Sequence, residues 1–244
     1  MSLTNNNDGG GKRVISQATG EALHLLFTGD RALWEIILIS LTVSLRALLL
    51  CLPVGIALAF LLSYLVFPGR RLIVMVFQTL MSIPAVVVGL TVYLMLARHG
   101  PFGDLKLLFT QSAMVIGQVL LSFPIIVALG YSAFQAAGRR GWETARTLGA
   151  SRSRAFFTLL HEVRFGLFVA FAAAFGRIIS EVGVSMMVGG NILGYTRNIP
   201  TAIALESSKG EFAQGIALGI VLMAIALIMN ILLTVFQGRE PVVV

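Results

Sequence analysis

LLFTQSAMVIGQVLLSFPIIVALGYSAFQAAG, residues 107–138, contains no charged side chain. A bilayer core about 30 Å thick is crossed by roughly 20 residues of helix, so this stretch alone can span it. Residues 72–97 and 212–238 are equally free of charge. Of the 244 residues only 12% are charged and 57% are hydrophobic, with a mean hydropathy of +0.90. A soluble domain carries about a quarter charged residues and could not hide several uncharged helices of this length. The chain is therefore integral to a membrane, and membrane lipid is its solvent.

Working outward, five spans are expected. The first ends near Phe67, which places Arg46 near the opposite interface, so that Trp34 to Ser44 is expected to project beyond the hydrocarbon or tilt along its surface. The others are Leu72–Leu96, Ala113–Phe134, Phe156–Gly183 and Phe212–Phe236. Pro53, Pro84 and Pro124 fall inside the first three and predict kinks. The fold class is all-α integral membrane, a five-span helical bundle. Residues 1–30 form an extracytoplasmic N-terminal segment expected to be mobile and amphipathic, with no cleavable signal peptide evident. Residues 31–238 form the transmembrane domain, with a loop at about 135–155, and residues 239–244 are a short tail.

Arginines fix the orientation. Arg139, Arg140, Arg146, Arg152 and Arg154 crowd the loop between spans three and four, and Arg70, Arg71 and Arg239 share its side. That side is read as cytoplasmic, with the N-terminus outside and the C-terminus inside. The net charge of +7 is mostly this topological signal, and no basic soluble face for nucleic acid exists. Cys51, the only cysteine, sits in an apolar block and can form no disulfide within the chain.

The basic loop, Gly141-Trp142-Glu143-Thr144-Ala145-Arg146-Thr147-Leu148-Gly149-Ala150-Ser151-Arg152-Ser153-Arg154, reads as helix, break, helix. Glu143 suits the first turn of a short helix. Gly149 is a C′ stop, and Ser151 an N-cap for span four. Ala145 leaves the helix surface low enough for another protein to approach.

Glu143, Ala145 and Gly149 resemble the coupling motif of ABC importer permeases, Glu-Ala-Ala, three residues, then Gly, with Thr144 in place of the first alanine. Leu159 fits the family's continuation, whereas His161 and Glu162 depart from it. The resemblance implies a type I ABC importer permease fold and a homodimer of this chain. It also implies two copies of a cytoplasmic ABC ATPase that dock on this helix and carry the ATP and magnesium. No cofactor is expected in the chain itself. A P-loop needs Gly, four residues, then Gly-Lys-Ser/Thr, and none of Lys12, Lys106 and Lys209 completes it.

In span four, Arg177 and Glu181 interrupt an uncharged run. Measured from Arg164, Arg177 lies about 20 Å into the helix, where a lone charge costs at least ~2.5–3.5 kcal/mol. Glu181, four residues on, reaches the same face. The two form either a self-neutralising pair or part of the translocation path or its outer gate. Beyond them, Gly183, Gly189, Gly190 and Gly194 argue against a plain spanning helix. Irregular backbone at membrane depth must be buried in protein or line a cavity. Here Asn191, Thr196, Arg197 and exposed amides could receive a tetrahedral anion, unless the segment is only an extracellular turn.

Arg177, Glu181 and Gly183 resemble the Arg-x-x-x-Glu-x-Gly pattern of permeases for molybdate, tungstate and sulfate. The run through Gly190, Asn191, Gly194-Tyr195-Thr196-Arg197 and Thr201-Ala202-Ile203-Ala204 is most similar to tungstate-specific permeases. The resemblance implies an oxyanion, tungstate before molybdate or sulfate, handed over by an extracytoplasmic binding protein. A secondary transporter would show internal repeats and several intramembrane ionisable groups. A membrane enzyme would need a catalytic set that the scattered His24, His99 and His161 do not make.

Overall fold

The computed structural model describes residues 30–138 and 140–237. Every regular element among them is helical. The N-terminal segment (Asp30 aside), Arg139 of the basic loop, Arg239 and the tail lie outside the described residues.

α1 (Arg31–Tyr64) begins at Asp30, whose Oδ1 accepts from the Ala32 N–H at 2.9 Å. It runs unbroken for 34 residues through Pro53, about 50 Å at the helical rise. Trp34–Ser44, expected to project beyond the first span or tilt along the surface, forms the opening turns of α1 and continues it without a break. Leu33, Ile36 and Ile37 are buried against Ile199, Ala202, Ala217 and Leu218, so packing partners far along the chain extend the helix.

The second expected span divides into α2 (Arg70–Leu80) and α3 (Ala85–Leu96), meeting at 98°. Pro84 is not a kink within a helix, as expected, but the residue that starts α3. It has no N–H to give and biases Ile83 away from helical geometry. The chain leaves α2 through short-range bonds, Ser82 N–H to the Thr79 carbonyl and Ile83 N–H to that of Leu80.

α4 (Gln111–Ala137) contains Pro124 and forms the centre of the bundle. Small residues bring its neighbours close, as in membrane packing generally. A Cβ on Gly55 of α1 would lie 2.7 Å from Ile126 of α4, and one on Gly130 of α4 would lie 3.1 Å from Ala59. α5 (Arg140–Thr147) comes next, then α6 (Arg152–Glu162) and α7 (Arg164–Ile179). The last two meet at 68°, so the fourth expected span is also bent, with no proline at the bend. Arg164 reaches back to the His161 carbonyl, at 3.0 Å, and to its ring nitrogen, which caps the end of α6 with a cation.

α8 (Gly183–Gly189), α9 (Ile199–Lys209) and α10 (Phe212–Gln237) complete the described residues. Among the described residues three helices, α1, α4 and α10, are long and apolar enough to cross a membrane, or up to five spans if each bent pair counts as one. α10 buries only 11% of its most apolar window and exposes Met223, Leu227, Ile228 and Val235. Water would not tolerate such a face, whereas lipid or a second protein would.

Candidate coupling helix and translocation site

The short helix α5 stops as a Schellman motif. The Ala150 N–H reaches the Ala145 carbonyl at 3.0 Å and the Gly149 N–H that of Arg146 at 3.1 Å. That closure needs a left-handed residue, and Gly149 has φ +84°. The Arg146 guanidinium ties down the Ala150 carbonyl at 2.6 Å, and the Ser151 hydroxyl accepts from Arg154 N–H to open α6. Glu143 lies in the first turn of α5 with its side chain exposed, and Ala145 is half-buried. Leu148 is 82% exposed beside them.

Trp142 carries no role in the sequence pattern, yet it seats the helix. Its ring lies 5.5 Å from Phe60 and 5.7 Å from Tyr64, both near the end of α1. Gly141 lies so close to Glu162 and Leu159 of α6 that a Cβ there would be 2.5 Å from the Glu162 carboxylate. The helix is therefore held on the bundle by Trp142 and Gly141 while its other side is free.

At the opposite end, Arg177 Nη1 donates to Glu181 Oε2 at 2.5 Å, and Glu181 Oε1 accepts from the Gly183 N–H at 2.8 Å. Both carboxylate oxygens are thus occupied. The Glu181 side chain is 7% exposed and that of Arg177 35%. The carboxylate fixes the first turn of α8 to the last turn of α7.

α8 is wedged between α3 and α4 over two glycines. A Cβ on Gly89 of α3 would lie 3.0 Å from Met187 Sδ and 3.1 Å from Val184 Cα, and one on Gly117 of α4 would collide with Val184 Cγ1. On Gly183 it would approach Val86 at 3.2 Å. Gly117→Leu is therefore expected to lower the thermal stability of the purified protein, since overpacking costs ~1–3 kcal/mol. Gly219→Ala, inside α10 with open space around it, should not lower the melting temperature, since alanine favours the helix.

The segment after α8 turns through three left-handed residues, Gly190, Asn191 and Gly194. The N–H groups of Tyr195, Thr196 and Arg197 converge on the Ile192 carbonyl. Thr196 is fully buried, its hydroxyl donating to the Gly189 carbonyl at 2.6 Å and accepting from Ile192 N–H at 2.9 Å. It holds the turn together. Arg197 Nη2 reaches the Asn191 carbonyl at 3.4 Å, while Arg197 Nε and Asn191 Oδ1 are buried without a hydrogen-bond partner. Buried polar atoms are normally paired, so these two mark the place in the segment with capacity for a further polar group. An amide flip would present the Asn191 NH2 there as a donor.

Polar residues missed from the sequence position this segment. Gln111 donates to the Tyr195 carbonyl at 2.7 Å and accepts from Arg46 at 3.4 Å. Asn198 is buried, caps α9 through a reciprocal capping box with Thr201, and donates to the Ser185 hydroxyl at 2.9 Å. The Asn-Ile-Pro-Thr spelling, a cap ahead of proline and a polar N3 residue, was the available signal.

Residues 52–240 match the family described as binding-protein-dependent transport system inner membrane component. The chain is 39% identical over 216 residues to the tungstate uptake system permease protein TupB of Peptoclostridium acidaminophilum, covering 88% of this chain and 95% of that one. It is 33% identical over 204 residues to the molybdenum transport system permease protein ModB of Escherichia coli, covering 80% and 89%. Among solved structures, a bacterial ABC transporter involved in the import of the acidic polysaccharide alginate superposes with a TM-score of 0.72 at 17% identity, over 96% of this chain and 91% of that one. That likeness is one of fold.

Proposed function

Because the chain belongs to the family of binding-protein-dependent transport system inner membrane components, we propose that it is the permease of an ATP-driven tungstate importer. The observation that carries the substrate is the 39% identity to a tungstate uptake permease along nearly the whole of both chains. In this reading two copies of the chain form the pathway. Two cytoplasmic ATPases dock on α5 through Glu143, Ala145 and Gly149 and hold the ATP and magnesium. An extracytoplasmic binding protein delivers the oxyanion. The N-terminus lies outside and the C-terminus in the cytoplasm.

The work of this chain is then positional. Arg177, Glu181 and Gly183 set the junction of α7 and α8, and Gly190, Asn191, Thr196 and Arg197 shape the outer segment that meets the anion. Arg197 Nε and the Asn191 amide are the polar groups offered to it. Arg197 Nε supplies a donor and the Asn191 amide a second one once flipped, which suits a dianion that must be received and released without chemical change.

The test is uptake by vesicles containing this chain, its ATPase and the binding protein. ATP-dependent accumulation of tungstate is expected at lower concentrations than molybdate or sulfate, and the isolated chain should hydrolyse no ATP. Preference for molybdate would move the assignment to the activity named for the ModB relative. Accumulation without ATP, or hydrolysis by the chain alone, would overturn it.

A further inference from the structure

The coupling helix exposes one side and touches the bundle with the other, so whatever moves it must be passed on through a small number of contacts. Trp142 is the large side chain among them. Its partner Phe60 also packs on Phe134 of α4 at 5.6 Å and on Phe156 of α6 at 4.8 Å. Tyr64 donates to the Gly138 carbonyl at 2.9 Å, where the chain leaves α4 for α5. α5 therefore rests on a cluster of aromatic rings drawn from three helices, centred on the end of α1.

At its other end α1 holds the outer segment. The Ser40 hydroxyl accepts from the Ile199 N–H at 2.6 Å and donates to the Ile36 carbonyl, within a buried site. This contact fixes the residue at which the segment of Gly190 and Asn191 turns into α9. Ser40 and Phe60 are separated by about 30 Å of helix. Between them α1 is clamped to α4 on both sides of Pro53, by Cys51 against Ser122 at 3.3 Å and by Gly55 against Ile126. The clamp prevents Pro53 from acting as a free joint.

We propose that Trp142 is a positioning residue that passes displacement of the coupling helix to α1, and that α1 acts as a strut delivering it through Ser40 to the outer segment. This rests on the importer reading. A small displacement at one end of a packed helix is carried to the other because the interior cannot deform continuously.

The test uses the assembled complex in vesicles with tungstate-loaded binding protein and reads the ratio of ATP hydrolysis with and without that protein. Trp142→Ala should lower the ratio several-fold toward unity while the ATPase still co-purifies, and Trp142→Phe should restore most of it. Ser40→Ala should lower the ratio too. Because both changes interrupt one series path, the double variant should be no worse than the worse single. A wild-type ratio in Trp142→Ala, or deficits that multiply in the double variant, would overturn the strut. If Trp142→Ala fails to co-purify, Phe60→Leu, which weakens the same cluster from within the bundle, takes its place. Failure of that complex also to assemble would make the cluster a folding element and end the proposal. A wild-type complex with no stimulated hydrolysis would instead remove the importer reading, and this inference with it.

Discussion

Arg177→Gln is expected to yield a complex that melts at markedly lower temperature and imports little tungstate. Its removal leaves the Glu181 carboxylate, 7% exposed, with the Gly183 N–H as its remaining partner. Breaking a buried pair by deleting one member costs roughly 3–5 kcal/mol, and the partial exposure of Arg177 places this case at or below the lower end. Glu181→Leu loses more than charge balance, because the Gly183 N–H then loses its acceptor, at about 1–3 kcal/mol. The pair changed together separates structure from transport. Arg177→Gln with Glu181→Gln keeps an acceptor for Gly183 and should recover most of the stability, more than Arg177→Gln with Glu181→Leu. Uptake should remain low in both doubles. Thermal melting and tungstate uptake across the four variants check this, and full recovery of both quantities in the Gln/Gln double would leave the pair as a structural brace.

Gly149→Leu should produce a correctly inserted protein with strongly reduced ATP-driven uptake. No atom lies within 4 Å of a Cβ placed there, so crowding is not the reason. The reason is the φ of +84°. A non-glycine residue in that region costs roughly 1–2 kcal/mol, a factor of about 5–30 in the fraction of molecules whose helix ends correctly for docking. Gly149→Asn, better suited to left-handed geometry, should fall between wild type and Gly149→Leu. Binding of the ATPase to the permease and uptake are the measurements. Equal values for Leu and Asn would mean that the Schellman stop is not what the ATPase reads.

What was legible in the sequence had local causes. The residues 107–138 predict α4 because uncharged length alone demands a helix in lipid. The Glu143-to-Ser151 run predicts helix, stop and cap because each device is set by its neighbours. The failures share a different cause. Pro84 marks a break, but the 98° corner depends on α8 seated over Gly89. The bend at Val163 has no proline or glycine and depends on Arg164 folding back on His161. Trp142 owes its place to Phe60 and Tyr64, on a helix far away in the chain. Thr196 reads as a polar group facing an anion, whereas its hydroxyl bonds the backbone of its own turn.

The corner between α2 and α3 also bears on how the protein is made. During synthesis the uncharged residues 72–97 emerge as one continuous apolar length, and α8, which fills the angle between α3 and α4, emerges only after the whole of α4 to α7. Chains fold from the N-terminus as they are made, and contacts between distant segments form late. Until Gly183–Gly189 arrives, Pro84 marks the break, but nothing is seated over Gly89 to hold its angle. The corner thus takes its final shape late, and a truncated chain ending before α8 would lack the residues that fill it.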